Sequence, residues 1–199
     1  MNIAVFCSGN GTNLQAIIDA QKKGHIKGEL RLVVSDIKGC FALMRAEKAG
    51  IKALLVERKD FKSKKEFEQE ISKSLEREKI DLIVLAGYMK LLSADFVKKY
   101  KNRILNIHPA LLPAFKGTHG IGDAFRYGVK VTGATVHFVT EDMDGGPIIL
   151  QSPVIVTEDD TEETLGEAIH REEHKIYPRA IQLFIEGRLK IEGRKVRIL

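Results

Sequence analysis

Two residues set two apart, Asn106 and His108, close the apolar stretch Arg103-Ile104-Leu105-Asn106-Ile107-His108, and the turn Pro109-Ala110-Leu111-Leu112-Pro113 follows at once. Side chains alternate faces along a strand, so this spacing puts both on one face. That face would lie at the carboxyl end of the strand, where open α/β sheets hold their ligands. The amide can donate to a developing oxyanion, and the imidazole, with an ordinary pKa of about 6.5, can move protons. Together they are a minimal apparatus for acyl transfer. The same pair also reads as a polar strand end that satisfies a turn.

A second site candidate is the loop Cys7-Ser8-Gly9-Asn10-Gly11-Thr12-Asn13, set between an apolar strand and a helix carrying Leu14, Ile17 and Ile18. Strand, glycine loop and helix N-terminus are the context in which backbone N–H groups meet a phosphate. Leu14 stands where a dinucleotide fingerprint needs its third glycine, and no Gly-Lys-Thr follows. A phosphate monoester fits better. A tight turn with Thr12 or Asn13 as helix cap is the alternative, and Asp36, near the end of the second strand, keeps a nucleotide-binding module open. Among the other histidines, His137 reads as a core or sheet-face residue, His25 as solvated, His119 as a loop residue near the site mouth and His174 as packed within its helix.

These groups need elements to hold them. Apolar runs predict strands over 2–7, 30–35, 51–56, 81–86 and 103–108, alternating with helices that begin near 12, 41 and 63 and with a short one capped by Ser93. Gly50 reads as a helix stop. Phe67, Ile71 and Leu75 give the 63–79 helix its apolar face. Such alternation with continuous apolar strands predicts an α/β fold, a doubly wound and mostly parallel sheet in a single domain over 1–199. Strands 131–139 and 148–156 are expected to pair antiparallel around the acidic loop Glu141-Asp142-Met143-Asp144-Gly145-Gly146-Pro147. A helix over 161–186 carries His170, Glu173 and His174.

Bulk properties narrow the function. Hydrophobic residues make up 44% and charged residues 30% of the 199, an ordinary globular composition. No apolar run reaches the length of a membrane span and no secretory signal opens the chain, so no membrane partner is expected. Cys7 and Cys40 make neither a disulfide framework nor a metal site and read as reduced thiols of a cytoplasmic protein. The net charge of +5 gathers in a short basic C-terminal segment, 187–199, with Arg188, Lys190, Arg194, Lys195 and Arg197 against Glu192. A solvated strand pair accounts for it better than nucleic acid does, and a mildly basic protein suits an anionic small molecule.

Taken together, Ser8-Gly9-Asn10-Gly11-Thr12-Asn13-Leu14-Gln15-Ala16-Ile17, Leu85-Ala86-Gly87-Tyr88-Met89, Asn106-Ile107-His108-Pro109 with Leu111-Leu112-Pro113, and Gly133-Ala134-Thr135-Val136-His137-Phe138-Val139 running to Asp144-Gly145-Gly146-Pro147 resemble the phosphoribosylglycinamide formyltransferase family, folate-dependent enzymes of purine synthesis. The resemblance covers almost the whole chain. It implies a Rossmann-like formyltransferase fold and transfer of the formyl group of 10-formyltetrahydrofolate, the co-substrate, to the amine of 5'-phosphoribosylglycinamide, with no metal. It implies a catalytic set of Asn106, His108 and Asp144. It places the ribose phosphate on Gly11, Thr12 and Asn13, the glycinamide on Glu173, and the formyl-folate on Lys64, Met89, Lys90, Leu91, Leu92 and Asn106. Assembly as a homodimer is left open.

The chain departs from the family pattern at Ala110, usually serine, at Gly120-Ile121-Gly122, usually more polar, and at His170, often glutamine. The implied chemistry is attack of the glycinamide amine on the formyl carbon, an oxyanion held by Asn106 and His108, proton transfer through His108, and Asp144 orienting His108 and favouring its charged form. The alternatives are a formyltetrahydrofolate hydrolase or a methionyl-tRNA formyltransferase, each expected to carry a further domain, and the nucleotide-binding module.

Overall fold

The computed structural model describes residues 1–199. Its elements are β1 (Asn2–Cys7), α1 (Thr12–Lys22), β2 (Glu29–Ser35), α2 (Phe41–Lys48), β3 (Lys52–Leu55), α3 (Lys64–Arg77), β4 (Leu82–Leu85), α4 (Ala94–Lys99), β5 (Ile104–His108), α5 (Gly120–Tyr127), β6 (Val131–Phe138), β7 (Ile148–Ile155), α6 (Glu162–Ile185), β8 (Leu189–Glu192) and β9 (Lys195–Ile198). The strands form one nine-stranded sheet in the order β3-β2-β1-β4-β5-β6-β7-β9-β8. It is parallel from β3 to β5 and antiparallel from β5 to β7. The basic segment forms the β8–β9 hairpin, whose β9 pairs with β7 at the sheet edge.

The winding reverses at β1. From it the chain runs outward to β2 and β3, then returns to β4 and continues to β5 on the other side. The crevice beyond the carboxyl ends of β1 and β4 is therefore the topological switch point. The ladder between these strands extends past them: Ala86 N–H donates to Phe6 O at 2.8 Å and Ser8 N–H to Gly87 O at 3.0 Å.

Alternation along each central strand feeds two cores. Ile3, Val5, Val84 and Leu105 pack under α1 and α6, with Leu14, Ile17, Ile18, Ile169 and Ile181. Phe6, Leu32, Ile83, Leu85 and Ile104 pack under α3 and α4, with Phe67, Ile71, Leu75, Phe96 and Val97. The fully buried Tyr177 on α6 donates its hydroxyl to Leu85 O at 2.8 Å and Leu105 O at 3.1 Å. It thereby fastens α6 to the middle of the sheet beside the crevice.

Local signals explain the boundaries. Ser63 and Ser93 each accept the third amide of the following helix, from Glu66 and Phe96, as N-caps do. Thr161 and Thr164 close a reciprocal box at the start of α6. Gly50 and Gly128 adopt positive φ after α2 and α5.

Candidate active site

Antiparallel register builds the centre of the site. Asn106 lies opposite His137 and His108 opposite Thr135, so all four side chains project from one face of the β5–β6 ladder. Asn106 Nδ2 is 3.2 Å from His137 Nε2. His137 Nδ1 is 2.9 Å from Phe138 O, a pure acceptor, so Nδ1 carries the proton and Nε2 offers its lone pair to the Asn106 amide. Burial pushes the His137 imidazole below its ordinary range, outweighing the Phe138 carbonyl and the nearby Asp144 carboxylate, both of which favour the charged form. The amide of Asn106 is thus held nitrogen-first by a neutral ring, leaving its second N–H to point elsewhere.

His108, 3% exposed, faces an oxygen with each ring nitrogen. Nε2 donates to Phe115 O at 2.7 Å, and Nδ1 lies 3.6 Å from Asp144 Oδ2. Asp144 Oδ1 lies 3.7 Å from His137 Nε2, so one carboxylate stands between the two imidazoles. Its position is set by the loop: Asp144 takes a φ of 49°, and Oδ2 accepts from Gly117 N at 2.8 Å. A Cβ on Gly146 would come within 1.7 Å of Phe138 O. Only glycine lets the loop turn that closely against the end of β6.

Thr135 secures the turn after His108. Its hydroxyl donates to Ala110 O at 2.6 Å and accepts from Leu112 N at 3.1 Å and Gln151 Nε2 at 3.0 Å. At Ala110 the structure buries the side chain completely and uses only the carbonyl. At Gly120 the absence of a side chain has a use: an added Cβ would lie 3.2 Å from His108 Nε2 and 3.3 Å from Phe115 O. The ring is backed by bare backbone.

The glycine loop opens on the α1/α6 side. Gly11 occupies the cap position of α1 with φ 67°, and no side chain caps the helix, so the alternative reading of Thr12 or Asn13 as cap does not hold. A Cβ on Gly11 would meet Ala42 Cα and Cβ at 2.9 Å. The first amides of α1 therefore lack both helical and side-chain acceptors. Arg45 braces the loop from α2, donating to Asn10 O at 2.8 Å and to Gln15 Oε1 at 3.0 Å. Thr12, Gln15 and Arg45 line a cleft of about 560 Å³ running along α1.

Asn13 Nδ2 donates to Glu173 Oε2 at 2.9 Å, and His170 Nδ1 lies 2.8 Å from the same oxygen. Glu173 is 2% exposed, while Asn13 Oδ1 is buried with no partner. The hydrogen bond to Glu173 raises the His170 pKa. The structure thus brings Asn13 and Glu173 together, with His170 as a third member. β1 and β5 are separated by β4 alone, so these two strands run about 10 Å apart, and the glycine loop and the Asn106 cluster both lie at the carboxyl end of this part of the sheet.

The loop after β4 carries Met89, Lys90 and Leu91 exposed, with Leu92 packed against the α3/α4 core. Asn106 and His108 share the strand parity of Ile104, which faces that core. Lys64 lies at the start of α3 and lines a cleft with Ser93, on the same side of the sheet as Leu92. No hydrogen bond or ion pair joins it to the Asn106 cluster, whose polar contacts run among Asn106, His137, His108 and Asp144. Asp36, the nucleotide-ribose acid of the alternative reading, is buried and accepts from the Ser8 hydroxyl at 2.6 Å. That occupation argues against its binding a ribose.

Four contributors escaped the sequence reading. His137 was legible as a sheet-face residue, yet its pairing with Asn106 depends on a register between strands far apart in the chain. The Phe115 carbonyl and the Gly117 amide are backbone groups with no residue-type signature. Arg45 reaches the glycine loop only because α2 packs beside it.

The profile of the formyl transferase family matches residues 1–181, and the chain belongs to that family. It is 44% identical over 191 residues to phosphoribosylglycinamide formyltransferase of Escherichia coli (strain K12), covering 96% of this chain and 90% of that one. It is also 44% identical over 191 residues to the trifunctional purine biosynthetic protein adenosine-3 of Gallus gallus, covering 96% of this chain but 19% of that protein. The chain therefore spans about a fifth of the trifunctional relative's length. A crystal structure of glycinamide ribonucleotide transformylase 1 from Symbiobacterium toebii superposes with a TM-score of 0.98 at 50% identity, covering 100% of this chain and 94% of that one.

Proposed function

We propose that this chain transfers the formyl group of 10-formyltetrahydrofolate to the amine of 5'-phosphoribosylglycinamide, as the names of its relatives suggest. One observation carries the reading: Asn106 is held nitrogen-first by neutral His137, beside a His108 whose two ring nitrogens face Phe115 O and Asp144. That is an oxyanion donor next to a proton carrier, with no nucleophilic side chain between them.

The phosphate of the ribonucleotide takes the free amides of Gly11, Thr12 and Asn13, and Glu173 receives the glycinamide. Formyl-folate lies against Met89, Lys90, Leu91, Leu92 and Lys64 on the α3/α4 side. The substrate amine attacks the formyl carbon, forming a C–N bond. The oxyanion of the tetrahedral intermediate is met by the free Asn106 N–H and, once His108 Nδ1 has taken the amine proton, by that N–H as well, while Nε2 stays with Phe115 O. The amine proton passes by way of His108 to the departing folate nitrogen as the old C–N bond breaks. Asp144 orients His108 and offsets positive charge on it. Topology suits this division: the phosphate loop and the catalytic pair follow or end strands separated by β4 alone, so one extended ribonucleotide can reach both.

Residues 1–199 are read as one formyltransferase domain, 187–199 being its short basic end. No helix is long and apolar enough to cross a membrane, and the two free, buried thiols suit the cytoplasm. The test is direct: incubate the protein with both substrates and follow formylated ribonucleotide by mass. Formation of product at a rate abolished by Asn106→Ala and His108→Ala supports the reading. Release of formate without formylated ribonucleotide would instead make the chain a hydrolase.

A further inference from the structure

Ser8 joins two loops that the proposed function gives to different substrates. It opens the glycine loop, and its backbone N–H donates to Gly87 O at 3.0 Å. Its hydroxyl donates to Asp36 Oδ1 at 2.6 Å and accepts the Met89 N–H at 2.9 Å. A serine has one hydroxyl proton. With that proton committed to Asp36, the oxygen's lone pairs turn to the Met89 amide, so Asp36 decides what Ser8 can hold.

Asp36 is an expensive way to achieve this. Its side chain is 1% exposed, Oδ2 has no hydrogen-bond partner, and the nearest cation, Lys90 Nζ, is 3.8 Å away. A carboxylate buried with so little compensation costs stability, whereas a neutral acceptor would orient a hydroxyl without that penalty. What the charge adds is a stronger, charge-assisted bond to Ser8 and an attraction for Lys90, the residue after Met89. The loop needs such a hold. Met89 and Leu91 are 59% and 66% exposed, so side-chain packing does not fix it, and only Leu92 anchors its far end in the core.

We infer that Ser8 and Asp36 are positioning residues that hold the Met89–Leu92 loop in the shape that receives formyl-folate, tying it to the loop that receives the phosphate. The identity of that ligand rests on the proposed function; the tie itself does not.

The full-length protein is compared with Ser8→Ala and Ser8→Thr. Amide hydrogen exchange at Met89 is read by NMR, and calorimetry gives the affinities of a 5,8-dideazafolate and of phosphoribosylglycinamide. In Ser8→Ala the Met89 amide loses its acceptor. Its exchange is expected to accelerate about tenfold and dideazafolate binding to weaken about tenfold, as loss of one hydrogen bond allows. Ribonucleotide affinity stays within about twofold on the same scale, and Ser8→Thr restores both lost properties. Unchanged Met89 exchange in Ser8→Ala overturns the tie; faster exchange with unchanged dideazafolate affinity overturns its role in binding.

Should Ser8→Ala not fold, Asp36→Asn serves instead. It keeps an acceptor for the hydroxyl and removes the charge. Weaker Met89 protection with weaker dideazafolate binding supports the inference, and no change in either overturns it. A wild-type chain that forms no formylated product overturns the proposed function alone, since Met89 exchange still decides the tie.

Discussion

Asn106 and His137 face each other across the antiparallel β5–β6 pair, amide nitrogen to imidazole Nε2 at 3.2 Å. Because His137 Nδ1 is committed to Phe138 O, the ring presents only an acceptor, and the Asn106 amide cannot flip without facing oxygen to a lone pair. His137 is thus a positioning residue that acts through Asn106.

A double-mutant cycle tests that dependence. Asn106→Ala is expected to lower kcat by roughly 10²–10³, as loss of an oxyanion donor does. His137→Ala leaves Asn106 in place but free to turn, and about a tenfold loss is expected, with little change in either KM. Adding His137→Ala to Asn106→Ala should cost almost nothing further, because the second residue works through the first. Additive losses would show that His137 has a role of its own.

The pH dependence follows from the same pair. Burial disfavours the His137 imidazolium, so the ring protonates only below the usual imidazole range. The folded state then binds fewer protons than the unfolded one. The associated stability is present above about pH 6.5 and is lost as pH falls through the lowered folded value. Once Nε2 is protonated it repels the Asn106 N–H, and kcat should fall with the same titration. Asp144 raises the His137 value, so Asp144→Asn should move the His137 NMR titration lower still. A His137 titration that stays put in Asp144→Asn would remove the carboxylate from this ring's environment.

How far the sequence could be read depended on the range of the interaction. The shared face of Asn106 and His108 follows from a period of two along one strand, and the strand–loop–helix at Ser8–Asn13 follows from local composition; the structure has both. The helix caps at Ser63 and Ser93 are local too. His137 became part of the site through a register between β5 and β6, which no local signal specifies. Asp36 stood where a ribose-binding acid stands, and only packing reveals that Ser8 had already taken it. Gly120 was visible as a departure from the family pattern but without a reason. What the structure adds is its neighbour, the His108 ring, twelve positions back in the chain and 3.2 Å from where a Cβ would be.

That proximity makes Gly120→Ala a sharp probe. The position has no positive φ, so the substitution adds no backbone strain and improves helix propensity at the start of α5. The methyl group instead presses on His108 Nε2 and Phe115 O, whose hydrogen bond is 2.7 Å long. Thermal stability should change little while kcat drops at least about tenfold, because a small displacement of a proton carrier is costly. Full activity in a well-folded Gly120→Ala protein would mean that the ring has room to move without consequence.

Glu173 offers a test on the other side of the site. It accepts from both Asn13 and His170 through one oxygen, and its hydrogen bond to His170 is the main reason that imidazole titrates above its ordinary value. The folded state therefore holds the His170 proton more tightly than the unfolded chain. The resulting stability is fully present below about pH 6.5 and disappears as pH rises through the raised folded value. Glu173→Gln keeps the shape and removes the charge. His170 should then titrate lower, and so should His174, whose value burial depresses and Glu173 partly restores. The stability gap between wild type and variant should be widest on the acid side and narrow as pH rises past the His170 titration, which denaturant midpoints at a series of pH values would show. If the carboxylate also receives the glycinamide, KM for the ribonucleotide should rise while dideazafolate affinity holds. His170 titrating identically in both proteins would break the link between the pair, and an unchanged ribonucleotide KM would leave Glu173 as a buried partner of Asn13 and His170 with no part in binding the glycinamide.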